Sequence, residues 1–114
     1  MKIKDLGSLF KTLSDQKRLR VLAVLADSEE ICACHIVGLL GVSGATVSVH
    51  MAQLIQAGLV GSRKEGRWTY YHLKRDKVEI APMLDWLISK FNLSSQVAED
   101  RERIKALVCS YGKQ

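Results

Sequence analysis

Proline is nearly absent from this chain, one residue in 114, and no stretch is rich in glycine and serine. Nothing therefore reads as a linker, and the length suits one domain, residues 1–114, rather than two. No run approaches the roughly 20 apolar residues of a membrane span. The opening MKIKDLGSLF is too interrupted by Lys and Asp for a signal peptide. The expectation is a soluble cytoplasmic protein with no membrane partner. Cysteine is scarce and odd in number: Cys32, Cys34 and Cys109. Two thiols one residue apart make no disulfide framework, and free thiols in a reducing compartment fit better. A glycine-rich phosphate loop is missing, as are paired carboxylates with a base nearby, so neither an enzyme nor an obligatory cofactor is expected.

What is present is ordinary globular material, 47% hydrophobic and 25% charged, which argues against disorder. The net charge is +5, and it is unevenly placed. Between Val60 and Lys77 stand six bases (Arg63, Lys64, Arg67, Lys74, Arg75, Lys77) against two acids. A localised basic patch is the footprint of a polyanion binder, and equally of a solvated basic loop.

Helical periodicity opens the chain. Ile3, Leu6, Phe10 and Leu13 mark a helix over 3–13. Ser14 or Asp15 caps a second, about 16–27, with Leu19, Leu22, Val24 and Leu25 inward. Ile31 to Leu40 reads as a short apolar helix stopped at Gly41. Ser43 caps a fourth, about 44–57, whose buried face is Val47, Met51, Leu54 and Ile55. Two helices joined by Gly41-Val42-Ser43 form a helix-turn-helix pattern, whose second member is the usual groove reader. Leu59 to Arg63 and Trp68 to Leu73 read as strands around the turn Lys64 to Arg67, so a basic hairpin, a wing, follows directly. After Asp76 come two more apolar stripes, Ile80, Met83/Leu84, Leu87/Ile88, Phe91, and then Val97, Ile104, Leu107/Val108, Tyr111, broken near Asn92-Leu93-Ser94. The fold class is mainly α with a small β-hairpin. The terminal stripes suit either a homodimer interface, built by the N- and C-terminal helices, or ordinary core packing.

At this point the residues resemble a family. Ala45-Thr46-Val47-Ser48-Val49-His50-Met51 is similar to the recognition-helix core of the ArsR/SmtB metal-sensing repressors. Ala57-Gly58-Leu59-Val60 with Arg63 through Leu73 is similar to their wing. Ile31-Cys32-Ala33-Cys34-His35-Ile36 resembles the Cys-x-Cys stretch of the arsenic, antimony, cadmium and lead branches. The resemblance covers roughly 5–91 and implies a dimeric repressor on double-stranded operator DNA, released by As(III) or Sb(III) as inducer. Three departures stand out. Gly44 and Val49 occupy positions where family members often carry Gln or Arg. Val37 stands where the best-known arsenic sensors have a third cysteine. The terminal-helix Asp and His of the family's zinc site are absent, with no histidine after His72.

Soft thiolates select soft ions, so Cys32 and Cys34 are the candidate ligands, and Cys109, from the same chain or from a dimer partner, either completes a three-thiolate site or is an incidental tail residue. A buried cysteine is otherwise a small hydrophobe. A helix start favours thiolate. Residues two apart on an intact helix do not face each other, so one ion is expected to be gripped only by unwinding that end, disturbing the turn that aims the reading helix. His35 is either a ligand for a borderline metal such as Zn or a polar residue at the helix surface. For DNA the candidates are Ser43, Thr46, Ser48, His50 and Gln53 on the reading helix, and Arg63, Lys64 and Arg67 on the wing. Trp68, Tyr70 and Tyr71 fit packing under the wing better than stacking on single strands. Two competing readings stay open: a winged helix used for protein contacts without DNA binding, and a regulator answering Cd, Pb, Zn or thiol oxidation.

Overall fold

The computed structural model describes residues 1–111, with side chains through Cys109. Six helices and three short strands follow in the order α1 (Ile3–Leu13), α2 (Gln16–Ala26), β1 (Ile31–Cys32), α3 (Ala33–Leu40), α4 (Gly44–Gln56), β2 (Val60–Glu65), β3 (Trp68–Leu73), α5 (Ala81–Phe91) and α6 (Ser95–Tyr111). The fold is a winged helix-turn-helix, mainly helical as expected.

Caps fix the helix boundaries. Asp15, not Ser14, caps α2, accepting from the amides of Lys17 and Arg18 at 2.8 and 3.1 Å. Ser43 caps α4 by accepting from the Thr46 amide at 3.1 Å. Gly41 ends α3 at φ +67, a conformation that costs glycine nothing, and the axes of α3 and α4 turn through 109° across it. That corner is the helix-turn-helix.

The core is built from Val21, Leu22 and Leu25 of α2, Ile36 of α3, Val47, Met51 and Leu54 of α4, and Leu59 and Val60 at the wing's root. Ile55 departs from the expected buried face of α4 and is exposed, because Val47, Met51 and Leu54 already fill the stripe that meets the core. In the C-terminal half Ile80, Leu84, Val97 and Ile104 are buried within the chain. Ile80 and Leu84 are therefore core residues and not free for a dimer stripe. Val108 is exposed, and the expectation for Tyr111 lies outside the described side chains.

Two local readings are corrected. Residues 31 and 32 are not the first turn of α3; they form a strand, pairing Ile31 with Tyr71 and Cys32 with Tyr70. Both are buried, and the free edge of β3 supplies ladder partners that a helical turn would leave unused. The hairpin is thus a three-stranded sheet in the order β1-β3-β2. Its turn is also tighter than expected. Glu65 pairs with Trp68 around Gly66-Arg67, with positive φ at Gly66 alone, as a type II′ turn requires.

α6 lies across α2 and α3. Arg20 donates twice to the buried Asp100 carboxylate, at 2.8 and 2.9 Å, and Arg101 donates to the carbonyl of Ala23. Leu107 rests on Gly38, where a β-carbon would meet its side chain at 3.1 Å. Among the described residues no single helix is long and apolar enough to cross a membrane.

Candidate thiol site and nucleic-acid interface

Cys32 sits at a junction. It is the last residue of β1 and at the same time the N-cap of α3, with extended backbone at φ −67 and ψ 141. Its sulfur accepts from the amide of Cys34 at 3.4 Å. Because Cys32 stands outside the helix, the two sulfurs approach to 2.7 Å with α3 intact. The expectation that the helix end must unwind to bring them together is therefore overturned. The i, i+2 rule applies to two residues that are both helical, and only Cys34 is.

At Cys34 the expected thiolate bias fails as well. The Cys34 thiol is pushed up to about 11, first by burial, then by its hydrogen bond and charge interaction with Cys32. Amide hydrogen bonds from the helix start pull the other way and are outweighed. His35 is not a surface residue; it is 3% exposed, and burial holds its imidazole below the ordinary value, hence neutral at pH 7. One ligand atom each from Cys32, Cys34 and His35 lies within 4.8 Å of the others. Cys109 is exposed on α6 and is not a member of this group.

The site reaches directly into the wing. Cys32 pairs with Tyr70, and Tyr70 pairs on its other side with Arg63. Directly paired residues on antiparallel strands point to the same sheet face. Cys32, Tyr70 and Arg63 thus form one row across all three strands. The Arg63 guanidinium lies 4.5 Å from the centre of the Tyr70 ring. It also holds Glu30, two residues before Cys32, through Nε at 2.9 Å and through a second short contact from its terminal nitrogen, and it reaches Glu65 at 3.0 Å. These carboxylates raise its proton affinity, Glu30 most. Arg63 is therefore an internal fastener between the thiol segment and the wing.

The remaining candidates for DNA are solvent-exposed, His50 excepted. Ser43, Thr46, Ser48 and Gln53 are exposed on α4, and Lys64 and Arg67 are exposed on the wing, with Arg67 beside the Trp68 ring at 5.6 Å. His50 is half-buried and tied inward, its Nδ1 3.2 Å from an Arg18 guanidinium nitrogen of α2. Tyr70 and Tyr71 are both buried, on opposite faces of the sheet, with Tyr71 in the core. Sequence reading missed Glu30 and Arg18. Their partners lie 33 and 32 residues away, and no periodicity signals a pairing at that distance.

Comparison with known proteins places this arrangement. Residues 15–62 match the model of the bacterial regulatory proteins of the arsR family. A helix-turn-helix transcriptional regulator of Methanocaldococcus jannaschii is 37% identical over 87 residues, 75% of this chain and 98% of that protein. The cadmium resistance regulatory protein CadC of Listeria innocua is 37% identical over 65% of this chain and 62% of its own length. The arsenical resistance operon repressor of Escherichia coli is 38% identical over 57% of this chain and 56% of its own. The chain thus spans somewhat over half the length of those two metal-resistance regulators. Among solved structures, the homodimeric winged helix-turn-helix DNA-binding domain of a possible ArsR-family regulator from Mycobacterium bovis superposes with a TM-score of 0.63. It is 26% identical, covering 75% of this chain and 76% of that one. With its helix-turn-helix, its wing and a relative matched almost end to end, this chain belongs to the ArsR family of transcriptional repressors and is not an enzyme.

Proposed function

We propose that the chain represses transcription as a cytoplasmic homodimer on operator DNA and is released when Cys32 and Cys34 take a soft thiophilic species, trivalent arsenic or antimony. The observation that carries this is the 2.7 Å approach of the two sulfurs at a residue shared by α3 and the wing sheet. Names borne by relatives, for arsenical and for cadmium resistance, point to the same ligand class.

The steps follow from the residues. Ser43, Thr46, Ser48 and Gln53 face base edges and phosphate, while Lys64 and Arg67 neutralise phosphate. Ile3, Leu6 and Phe10 of α1 and Trp86 of α5 are exposed apolar groups, and they supply the dimer face in place of Ile80 and Leu84. A two-fold dimer reads half-sites spaced by about one helical turn or a multiple of it. Each sulfur–arsenic bond forms as an arsenic-bound hydroxide leaves with the thiol proton as water, and ligation removes Cys32 from its cap. The displacement passes along the row to Tyr70 and Arg63, and so to the wing, while α3 carries it to the Gly41 corner. Both routes bias one equilibrium, which is what coupling between ligand and DNA requires.

The test is a gel shift on the chain's own promoter region, with arsenite added to the wild type and to Cys32→Ser and Cys34→Ser. Both variants are expected to bind DNA and to stay bound under arsenite. Normal release of either variant would place the inducer site elsewhere. The sulfur distance also favours a second reading, in which a peroxide oxidises the pair to a disulfide, accepting two electrons and two protons. Release by peroxide but not by arsenite selects it.

A further inference from the structure

His50 stands on the reading helix but is tied to another one. An Arg18 terminal nitrogen of α2 lies 3.2 Å from its Nδ1. We propose that Arg18 is a positioning residue for operator recognition: it fixes His50 in one tautomer, and so presents Nε2–H from α4 as a hydrogen-bond donor to an acceptor on the DNA. This rests on the reading of the exposed α4 face as the DNA surface and adds how one of its groups is set.

The tautomer follows from the donor inventory. A guanidinium has no acceptor, so in this contact Arg18 donates and Nδ1 accepts. An imidazole that accepts at Nδ1 carries its one proton on Nε2. The opposite tautomer would set two N–H groups against each other at 3.2 Å.

Arg18 is itself braced. Its Nε donates to the carbonyl of Thr12 at 2.7 Å, in the last turn of α1, and Thr12 is buried. Its backbone amide donates to Asp15, the cap of α2. The guanidinium is planar, so fixing Nε also fixes the direction in which its terminal nitrogens point. One side chain thereby joins the end of α1, the start of α2 and the middle of α4.

The other ring nitrogen is open. Thr46, His50 and Gln53 recur at i, i+4 and i+7, one stripe of α4, and Thr46 and Gln53 are exposed. Among the described residues Nε2 has no partner, and it is not one of the buried unpaired polar atoms, so it meets solvent. A ring pinned at one nitrogen is ordered before DNA arrives, so less of its contact energy is lost to ordering on binding. Its single N–H matches N7 or O6 of guanine, O4 of thymine or a phosphate oxygen, and is refused by the amino groups of adenine and cytosine.

The test labels the histidines of the full chain with nitrogen-15 and runs a double-mutant cycle on DNA. His50→Gln keeps an N–H donor near the Nε2 position with no tautomer to set, and its spectrum assigns His50 among the three histidines. Wild-type His50 is expected to show the Nε2–H tautomer alone. A ring protonated at Nδ1 instead would overturn the proposal whether or not any variant folds. Arg18→Met, which keeps an apolar stem, is expected to show mixed tautomers. It should also lower the preference for a fragment of the chain's own promoter region over random duplex by about tenfold, with random-duplex affinity little changed. In the His50→Gln background the same change is expected to cost less than about twofold, because the residue it acts through is gone. An equal loss of preference in both backgrounds would overturn the proposal and make Arg18 a structural brace. An equal loss on promoter and random duplex would also overturn it and make Arg18 a phosphate contact. A wild type with no preference for the promoter fragment would sink the DNA reading of α4 together with this proposal, whereas a preference that Arg18→Met keeps in full sinks this proposal alone.

Discussion

At the scale of single residues, the wing's bases are not interchangeable. Arg63 is held by Glu30, Glu65 and the Tyr70 ring, whereas Lys64 and Arg67 project from the hairpin without an ion pair among the described residues. Arg67→Ala is expected to weaken binding to every DNA sequence and to reduce the slope of log affinity against log salt by about 1. Arg63→Ala should change that slope less and instead blunt release by the inducer. A salt titration of both variants checks this, and equal slopes would return Arg63 to the phosphate contacts. Cys34 offers a second measurement. With its thiol pushed up to about 11, alkylation by iodoacetamide should be slow at neutral pH and keep rising through the ordinary thiol range near 8.5. A plateau below that range would mean that the helix start wins over burial after all.

Among the elements, α2 gives the plainest energetic prediction. Asp15 caps it, so Asp15→Ala should cost about 1 kcal/mol in a urea melt. Burial works to raise this carboxyl, but the Arg18 amide, the Arg18 charge, His50 and the Lys17 amide outweigh it, and the net shift is downward. A depressed carboxyl stabilises above its unfolded value of about 3.9 and stops doing so as the pH falls through the folded one. The gap between wild type and variant should therefore narrow in acid. Helix positions were legible because caps and glycine stops are local: Ser43, Gly41 and the apolar spacing of α4 announce themselves over a few residues. β1 was not legible. Two residues carry no period, and the apolar run from Ile31 to Leu40 suits a helix until the edge of β3 is available to pair with. The thiol site was half legible for the same reason. The sequence shows the Cys-x-Cys spacing, but whether those sulfurs meet depends on Cys32 being a strand residue and a cap.

For the molecule as a whole, α6 fastens the core to the thiol-bearing helix. Asp100 is buried and paired with Arg20, whose side chain keeps 27% of its exposure. Arg20→Leu removes the carboxylate's charged partner and leaves it the Gln96 side-chain amide, which donates to it at 3.0 Å. We expect about 2 kcal/mol of destabilisation, less than the roughly 3–5 of a fully buried pair because water still reaches this one. Denaturant midpoints for Arg20→Leu and Asp100→Asn measure it. Assembly is tested at the exposed apolar faces. Phe10→Glu and Trp86→Glu should each shift sedimentation from dimer to monomer at micromolar protein, and DNA affinity should drop with it. A wild type that sediments only as monomer would remove the dimer from the proposal.

The two-residue pairing of β1 also decides which changes in chain length the molecule tolerates. Asp27 to Glu30 is a surface connection, the kind of place where an added or deleted residue is usually harmless. Here it sets the register that puts Cys32 opposite Tyr70. Moving it by one residue turns Cys32 to the other side of the sheet and puts Ile31 or Ala33 in its place. On the proposed function, such an indel leaves the helices, the corner and the wing in place and yields a folded chain that still binds DNA and no longer answers a thiophilic ligand.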